Sequence, residues 1–145
     1  MSVELVKMEV YPQVYHADTY SEIVLVNETM ALPIYVSFQQ AESILHGLQG
    51  KRFHRPLTHD LFMQVLNSLG ASIKKVVIDE LVEGVFMARL YVEHEKEGGV
   101  SETVIDARPS DCIALAVREG CDIFVSRRVL DEAGKSREEL GIEHF

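Results

Sequence analysis

The chain has 145 residues, of which 47% are hydrophobic and 26% charged, so its composition excludes a disordered or fibrous protein and fits one folded domain. Its formal net charge of −9 weighs against sequence-independent gripping of nucleic acid, which depends on Lys and Arg, but allows an enzyme that touches a few phosphates. No apolar run approaches about 20 residues, so no membrane span is predicted, and the two cysteines indicate a reducing, cytoplasmic location rather than a disulfide framework.

The first half of the chain predicts three strands and two helices. Val, Ile, Leu and Tyr alternate imperfectly over residues 3–14, 20–28 and 31–37, and Pro33 places the third strand at a sheet edge or at its entry. Residues 39–48 have helical spacing. Residues 58–69 predict the clearest helix, with Thr58 as its N-cap and Gly70 just beyond its end. Its apolar stripe is formed by Leu61, Val65, Leu66 and Leu69.

The second half predicts an antiparallel meander over residues 73–81, 85–94 and 100–106. A helix opened by Pro109 then runs to about Glu119 and is apolar on most sides, which predicts a central position. A short strand at 122–125 and a helix at 127–133 follow. We therefore expect one α+β (mixed α/β) domain over residues 1–145, with a largely antiparallel sheet packed by two or three helices.

Two Arg-Pro segments open the helices at 58 and 109. In each, an Arg precedes a Pro and an acid follows in the first helical turn, Asp60 in one segment and Asp111 in the other. A structural interpretation is available for both. The acids complement the positive end of the helix, Thr58 and Ser110 serve as caps, and the arginines are ion-pair partners. Asp111 also shares a helix flank with Arg118, which is an equally plausible pairing.

A functional interpretation is open as well. Helix N-termini flanked by arginine and hydroxyl groups are natural phosphate sites, which points to Arg55, Thr58, Arg108 and Ser110. His59 with Asp60, Asp106 and Asp111 are the residue types that bind Mg²⁺ or Mn²⁺ and move protons in phosphodiester hydrolysis. The sequence does not show whether the two segments meet in space. His54 and His59 have no established zinc spacing.

Three segments carry a resemblance to a known family. They are Leu32-Pro33-Ile34-Tyr35-Val36, Arg55-Pro56-Leu57-Thr58-His59-Asp60-Leu61 and Ile105-Asp106-Ala107-Arg108-Pro109-Ser110-Asp111-Cys112-Ile113-Ala114-Leu115-Ala116. They resemble the bifunctional nuclease domain family, and the resemblance covers about residues 6–133. Gln40 stands where the family usually has Glu, and Cys112 where Ala is usual. The resemblance implies hydrolysis of DNA and RNA.

The leading hypothesis is therefore a nuclease. Asp60, Asp106 and Asp111 would hold a divalent metal or a water, His59 would carry protons, and Arg55 and Arg108 would meet phosphate. A second hypothesis is a non-catalytic module that binds an anion or a partner protein, and a third makes both motifs purely architectural. A homo-oligomer, most simply a two-fold dimer, is expected because symmetric dimers are common.

Overall fold

The computed structural model describes residues 4–50 and 55–142. The strands are β1 (Leu5–Val10), β2 (Tyr15–His16), β3 (Ser21–Val26), β4 (Met30–Val36), β5 (Ala71–Val82), β6 (Val85–Lys96), β7 (Gly99–Ala107), β8 (Asp122–Ser126) and β9 (Lys135–Ser136). The α-helices are α1 (Phe38–Gln49), α2 (Thr58–Ser68), α3 (Pro109–Glu119) and α4 (Arg127–Ala133), and a 3₁₀ turn covers Glu138–Leu140. The α+β fold and the existence of every predicted helix are confirmed.

The described strands form one open sheet in the order β7-β6-β5-β8-β1-β3-β4-β9, with β2 added beside β3. Every pairing within this described sheet is antiparallel except β5 with β8. The chain reaches β8 from the meander through α3, which is the crossover that a parallel pair requires. The two-residue β9 pairs only with Met30 and Ala31, so Pro33 lies on the uncovered part of β4, as its missing N–H demands.

The predicted meander is confirmed as β5, β6 and β7. Glu83 and Gly84 form its first turn and both have positive φ, 50° and 80°, which is the backbone twist of a tight two-residue hairpin. On β6, Ala88 and Leu90 are buried while Arg89 between them is exposed. The core therefore lies on one face of this part of the sheet, and Arg89 marks the other face.

Helix α3 is the central helix that its apolar sequence predicts. Its residues from Cys112 to Ala116 are all buried, and they belong to the same core cluster as Ala41 and Ile44 of α1. Pro109 occupies its first turn, and Gly120 ends it in the left-handed conformation with φ 79°. Met63 and Leu66 of α2 pack against the same cluster, so the helices that follow the two Arg-Pro segments share one core.

Three of the four residues of the predicted apolar stripe of α2 are exposed, and only Leu66 packs against the core. Leu61, Val65 and Leu69 are 52%, 49% and 69% exposed, and α2 has no fully buried residue. The half-buried face instead carries His59, Met63 and Leu66. The reason is tertiary, because polar groups at the start of α2 bind partners on α1 and α3 and so fix the rotation of the helix.

Three local predictions also need correction. Leu57, not Thr58, is the N-cap of α2, and the Asp60 carboxylate accepts the Leu57 N–H at 3.0 Å in place of a hydroxyl cap. Arg108, not Ser110, is the N-cap of α3. The first strand ends at Val10 rather than at residue 14, just ahead of Pro12, which cannot donate a ladder hydrogen bond. No helix within the described ranges is long and apolar enough to span a membrane.

Candidate active site

The two Arg-Pro segments meet through a histidine–carboxylate pair. His59 on the first turn of α2 places its Nε2 2.9 Å from Oδ1 of Asp111 on the first turn of α3. The His59 side chain is 18% exposed and that of Asp111 31%, so the pair is partly shielded from water but still reachable. A histidine held by a carboxylate is oriented for proton transfer, which makes this pair the first element of a candidate site.

Arg108 completes the second side of Asp111. Its Nε donates to Asp111 Oδ2 at 2.9 Å, while 68% of the Arg108 side chain remains exposed. Burial alone would raise the pKa of Asp111, but hydrogen bonds from Arg108 and His59 outweigh it and hold that pKa below its usual value. The same contact raises the pKa of Arg108. Asp111 is therefore an anion that fixes a histidine on one oxygen and an exposed guanidinium on the other.

Ser43, on the middle of α1, contacts the opposite edge of the His59 ring. Its Oγ lies 2.6 Å from His59 Nδ1, so the ring is held by protein groups at both nitrogens. Sequence reasoning missed Ser43, because a single serine inside a helical pattern carries no local signal. The structure thus adds a hydroxyl to the predicted histidine and carboxylate.

Arg118, near the end of α3, ties the three helices together. Its Nε donates to Asp60 Oδ1 at 2.7 Å, and one terminal nitrogen, Nη1, donates to the carbonyls of both Ser43 and Ala114, at 3.0 and 2.9 Å. Its side chain is 7% exposed. Of the two pairings left open for Asp111, the one with Arg118 is wrong and the one with Arg108 is found. From its place on α3, Arg118 lies on the same flank as Asp111 but can also reach α2. Packing of α2 brings Asp60 to Arg118, and Asp111 then bonds His59 and Arg108.

Asp60 is consequently a structural anion. Burial acts to raise the pKa of Asp60, and the hydrogen bonds from Arg118 and the Leu57 N–H together lower it below its usual value. Both of its oxygens are engaged by protein donors. The carboxylate is therefore already committed to capping α2 and holding Arg118.

A cleft of about 280 Å³ opens beside the start of α3. Arg108 and Ser110 line it together with Gln40 from α1 and the β5–β6 hairpin. The cleft brings the exposed guanidinium of Arg108 to the positive end of α3, where backbone N–H groups favour an anion. Two of the predicted phosphate-binding residues thus border one concave surface.

Arg55 and Thr58 lie at the start of α2 and are exposed. His54 falls outside the described residues. Asp106 is exposed at the end of β7, directly opposite Arg89, and its neighbour Ala107 packs against the core. Because successive residues of a strand face opposite sides, Asp106 lies on the side of the sheet away from that core. The structure therefore brings together His59, Asp60, Asp111 and Arg108, but does not add Asp106 to them.

The predicted metal ligands do not form a compact set. Among the residues that the structure describes, no three His, Cys, Asp or Glu side chains are grouped so that they could hold a metal ion. Asp60 and Asp111 already accept hydrogen bonds at both oxygens, and Asp106 is on another surface. These three carboxylates thus do not fit a shared metal centre in this arrangement.

Cys112 follows Asp111 but does not act with it. The residue is buried, and burial together with the Asp111 and Asp106 charges raises the pKa of its thiol to about 12. Such a thiol stays protonated and is a poor nucleophile. The interpretation of Cys112 as a core residue agrees with this position.

Comparisons with known proteins point in one direction. The sequence pattern of the bifunctional nuclease domain matches residues 23–138. An uncharacterised protein of Mycobacterium tuberculosis (strain H37Rv) is 40% identical over 103 residues, which cover 71% of this chain and 58% of that protein. Bifunctional nuclease 1 of Oryza sativa subsp. japonica is 32% identical over 101 residues, 69% of this chain and 30% of the rice protein. The chain thus spans less than two thirds of the length of these relatives.

Proposed function

The chain belongs to the bifunctional nuclease domain family, and on that premise we propose that it hydrolyses phosphodiester bonds in DNA and RNA. The observation that carries the proposal is the contact of His59 with Asp111, whose second oxygen holds Arg108 at the mouth of a cleft. Phosphodiester hydrolysis needs a group that moves protons and a cation that meets the phosphate. This small set of residues supplies both.

Each residue of the set has a role in the proposal. His59 carries protons, and Asp111 orients its ring and stabilises it when protonated. Arg108 is held at Nε by Asp111 and keeps 68% of its side chain exposed, which leaves it free to meet a phosphate. Ser110 and the N-terminus of α3 add donors at the same cleft. Local positive groups rather than net charge would then attract the substrate to a chain of charge −9.

The start of α2 supplies the outer contacts. Arg55 and Thr58 are exposed there, and in the proposal they meet phosphates further along the nucleic acid. Asp60 acts indirectly, by holding Arg118 and the rotation of α2. Arg55 and Thr58 thus contact substrate in the proposal, whereas Asp60 is a positioning residue.

We also propose that Mg²⁺ or Mn²⁺ assists the reaction, bound by few protein ligands. Mg²⁺ usually keeps several waters and binds through one or two carboxylates plus substrate phosphates rather than in an all-protein cage. Asp106 is exposed and bonds no side chain among the described residues, so in the proposal it is the carboxylate that would serve such an ion. No step of the proposal depends on the metal.

The test is turnover by highly purified protein on labelled single-stranded DNA, double-stranded DNA and RNA, each with Mg²⁺, Mn²⁺ or EDTA. We expect cleavage that is lost in Asp106→Ala/Asp111→Ala. The matched control is Asp131→Ala/Glu132→Ala, which removes two exposed carboxylates from α4. Equal cleavage by the Asp106/Asp111 variant and the wild type would identify a contaminating nuclease and refute the assignment.

A specific observation also supports the non-catalytic alternative. Both nitrogens of His59 and both oxygens of Asp111 are bonded within the protein, as expected of an architectural joint between helices. An anion-binding regulatory module would use the exposed part of Arg108 and the cleft without turnover. A thermal-shift screen with nucleotides and phosphate esters separates the two, because the module predicts stabilisation by a ligand that is recovered unchanged.

We further propose that the chain acts as a two-fold homodimer in the cytoplasm. The face of α2 formed by Leu61, Phe62, Val65 and Leu69, here called the α2 face, is exposed. The segment from Leu61 to Leu69 contains no charged residue in a chain that is 26% charged. An uncharged apolar face suits a second copy of a strongly acidic chain, because pairing it avoids contact between like charges. The two free cysteines favour a reducing compartment.

A further inference from the structure

Ser43 contacts the ring nitrogen of His59 that Asp111 leaves free. Ser43 Oγ is 2.6 Å from His59 Nδ1, and the residue is half-buried. His59 Nε2 is in turn 2.9 Å from Asp111. Serine, histidine and carboxylate therefore form one continuous chain of hydrogen bonds, in which the base lies within reach of a hydroxyl and is oriented by a third group.

The position of each proton in this series of hydrogen bonds follows from the charge of Asp111 at one end. Asp111 has a lowered pKa and is ionised, so it can only accept, and His59 Nε2 must carry the hydrogen that it receives. In the neutral imidazole Nδ1 is then bare and accepts. Ser43 therefore donates its hydroxyl hydrogen to His59 Nδ1. This is the direction of proton transfer that turns a serine into a nucleophile.

Arg118 contributes to the same hydroxyl from the other side. Its terminal nitrogen donates to Ser43 Oγ at 3.3 Å, and the arginine is held almost buried by Asp60 and two carbonyls. A fixed cation beside Oγ stabilises the alkoxide that forms when the proton leaves. Ser43 thus has a base on one side and a charge-stabilising donor on the other.

Two other serine–histidine contacts in the chain provide an internal comparison. His16 Nδ1 lies 2.7 Å from Ser21 Oγ, and His94 Nδ1 lies 3.3 Å from Ser101 Oγ. Neither histidine has a carboxylate bonded to its second ring nitrogen among the described residues. The complete relay is found only at Ser43 within residues 4–50 and 55–142, so it is more than an ordinary serine–histidine contact.

We propose that Ser43 Oγ is the nucleophile of this site and that it attacks the phosphorus of a phosphodiester. The inference rests on the proposed nuclease function, whose substrate class it takes over. His59 Nδ1 takes the Ser43 proton as the Oγ–P bond forms and the P–O bond to the leaving nucleoside breaks, and the imidazolium then gives that proton to the leaving oxygen. Water next gives a proton to His59, its hydroxyl joins phosphorus, the P–Oγ bond breaks, and Ser43 recovers the proton.

A fluorophosphonate probe tests the nucleophile directly, because attack by an activated serine forms an Oγ–P bond and expels fluoride. The wild-type chain is incubated with the probe and the modified residue is located by peptide mass spectrometry. We expect the adduct on Ser43, none on Ser101, and slower labelling when substrate DNA is added. Absence of an adduct on Ser43, or equal modification of Ser101, overturns the proposal. This experiment uses only the wild-type chain, so its result does not depend on whether a variant folds.

Variants then separate this inference from the nuclease assignment. Ser43→Ala is expected to lower the cleavage rate by about 100-fold or more, and His59→Gln to abolish probe labelling, while the matched Ser101→Ala leaves both unchanged. Circular dichroism checks that each variant is folded. Wild-type cleavage by folded Ser43→Ala would refute the nucleophile and leave the nuclease standing. Probe labelling of Ser43 in a chain that cleaves no nucleic acid would refute the nuclease and retain the activated serine.

Discussion

Arg118 is the residue on which the geometry of the site depends most. It lies almost buried at the end of α3 and binds groups on α1 and α2 as well as its own helix. Replacing it removes a side-chain donor from Asp60 and from two helical carbonyls, although Asp60 keeps the Leu57 N–H and is partly exposed, so it recovers some hydration. The helices at the site are thus joined by one side chain rather than by the apolar core alone.

Arg118→Met is expected to lower the free energy of unfolding by about 1–3 kcal/mol, because the charged hydrogen bond to partly buried Asp60 and the side-chain hydrogen bonds that join α3 to α1 are lost. The control is Arg89→Met, whose ion pair with Asp79 is at the surface, and we expect a loss of about 0–1 kcal/mol there. Urea denaturation measures both. Equal losses for the two variants would mean that Arg118 is an ordinary surface arginine.

The carboxylate of Asp111 predicts how stability responds to acid. Its folded pKa lies below the ordinary value, so its contribution is present above the unfolded pKa of about 4 and disappears as pH falls through the folded pKa. In Asp111→Asn the free energy of unfolding should therefore fall less steeply than in the wild type as pH drops below about 4. Denaturant titrations from neutral pH into acid measure this slope. Identical slopes would contradict the ionic role of Asp111.

Little of this residue-scale detail could be predicted from the sequence. The two Arg-Pro motifs identified His59, Asp60, Asp111 and Arg108, because residue types and helix starts are local features. Ser43 and Arg118 carry no such signal. Their partners lie on other helices, and only packing decides that Asp60 rather than Asp111 meets Arg118. The chemistry of the site could be predicted in part, but its connections could not.

At the scale of elements, the contact of α1 with α3 sets the distance between Ser43 and Arg118. Gly47 of α1 lies against α3 so closely that an added Cβ would stand 2.6 Å from Val117 and 2.8 Å from an Arg118 nitrogen. Glycine inside a helix ordinarily costs stability relative to alanine. Its presence here is explained by the close approach of the two helices.

Gly47→Ala is therefore expected to destabilise the protein by about 1–3 kcal/mol through overpacking, although alanine favours helix in isolation. Gln49→Ala, at the exposed last residue of α1, serves as the control and should be neutral within about 0.5 kcal/mol. Thermal unfolding followed by far-UV circular dichroism, which reports helix content, compares the two variants. A rise in stability for Gly47→Ala would show that α1 and α3 are not in close contact.

The existence and order of the elements could be predicted, because the hydrophobic periods of strands (2 residues) and helices (3.6 residues) are visible within short stretches of sequence. The orientation of α2 could not. Its apolar positions Leu61, Val65 and Leu69 predict a buried stripe, yet His59 and Asp60 rotate the helix toward partners on α1 and α3. The helix turns His59 and Asp60 inward beside Met63 and Leu66 and leaves most of its apolar stripe outside, so it departs from its pattern for a tertiary reason, as functional regions often do.

For the whole molecule, the outward α2 face predicts self-association. Val65→Lys places a charge at its centre and is expected to convert a dimer to a monomer while the fold is preserved, because a charge buried in an apolar interface lacks a partner. Val100→Lys is the control, since Val100 is 67% exposed on β7. Analytical ultracentrifugation over a concentration series measures the mass. A monomeric wild type, or a Val65→Lys dimer, would contradict the assignment of this face.

In the proposed reaction, His59 is held by Asp111 and moves protons during phosphodiester cleavage. The role of His59 is tested by the single-turnover cleavage rate of a short labelled oligonucleotide, measured for His59→Gln and for the control His94→Gln. In the described part of the chain His94 contacts a serine but no carboxylate. We expect a fall of about 10²- to 10⁴-fold for His59→Gln and a change within about twofold for His94→Gln. A folded His59→Gln variant that cleaves at the wild-type rate would contradict the claim.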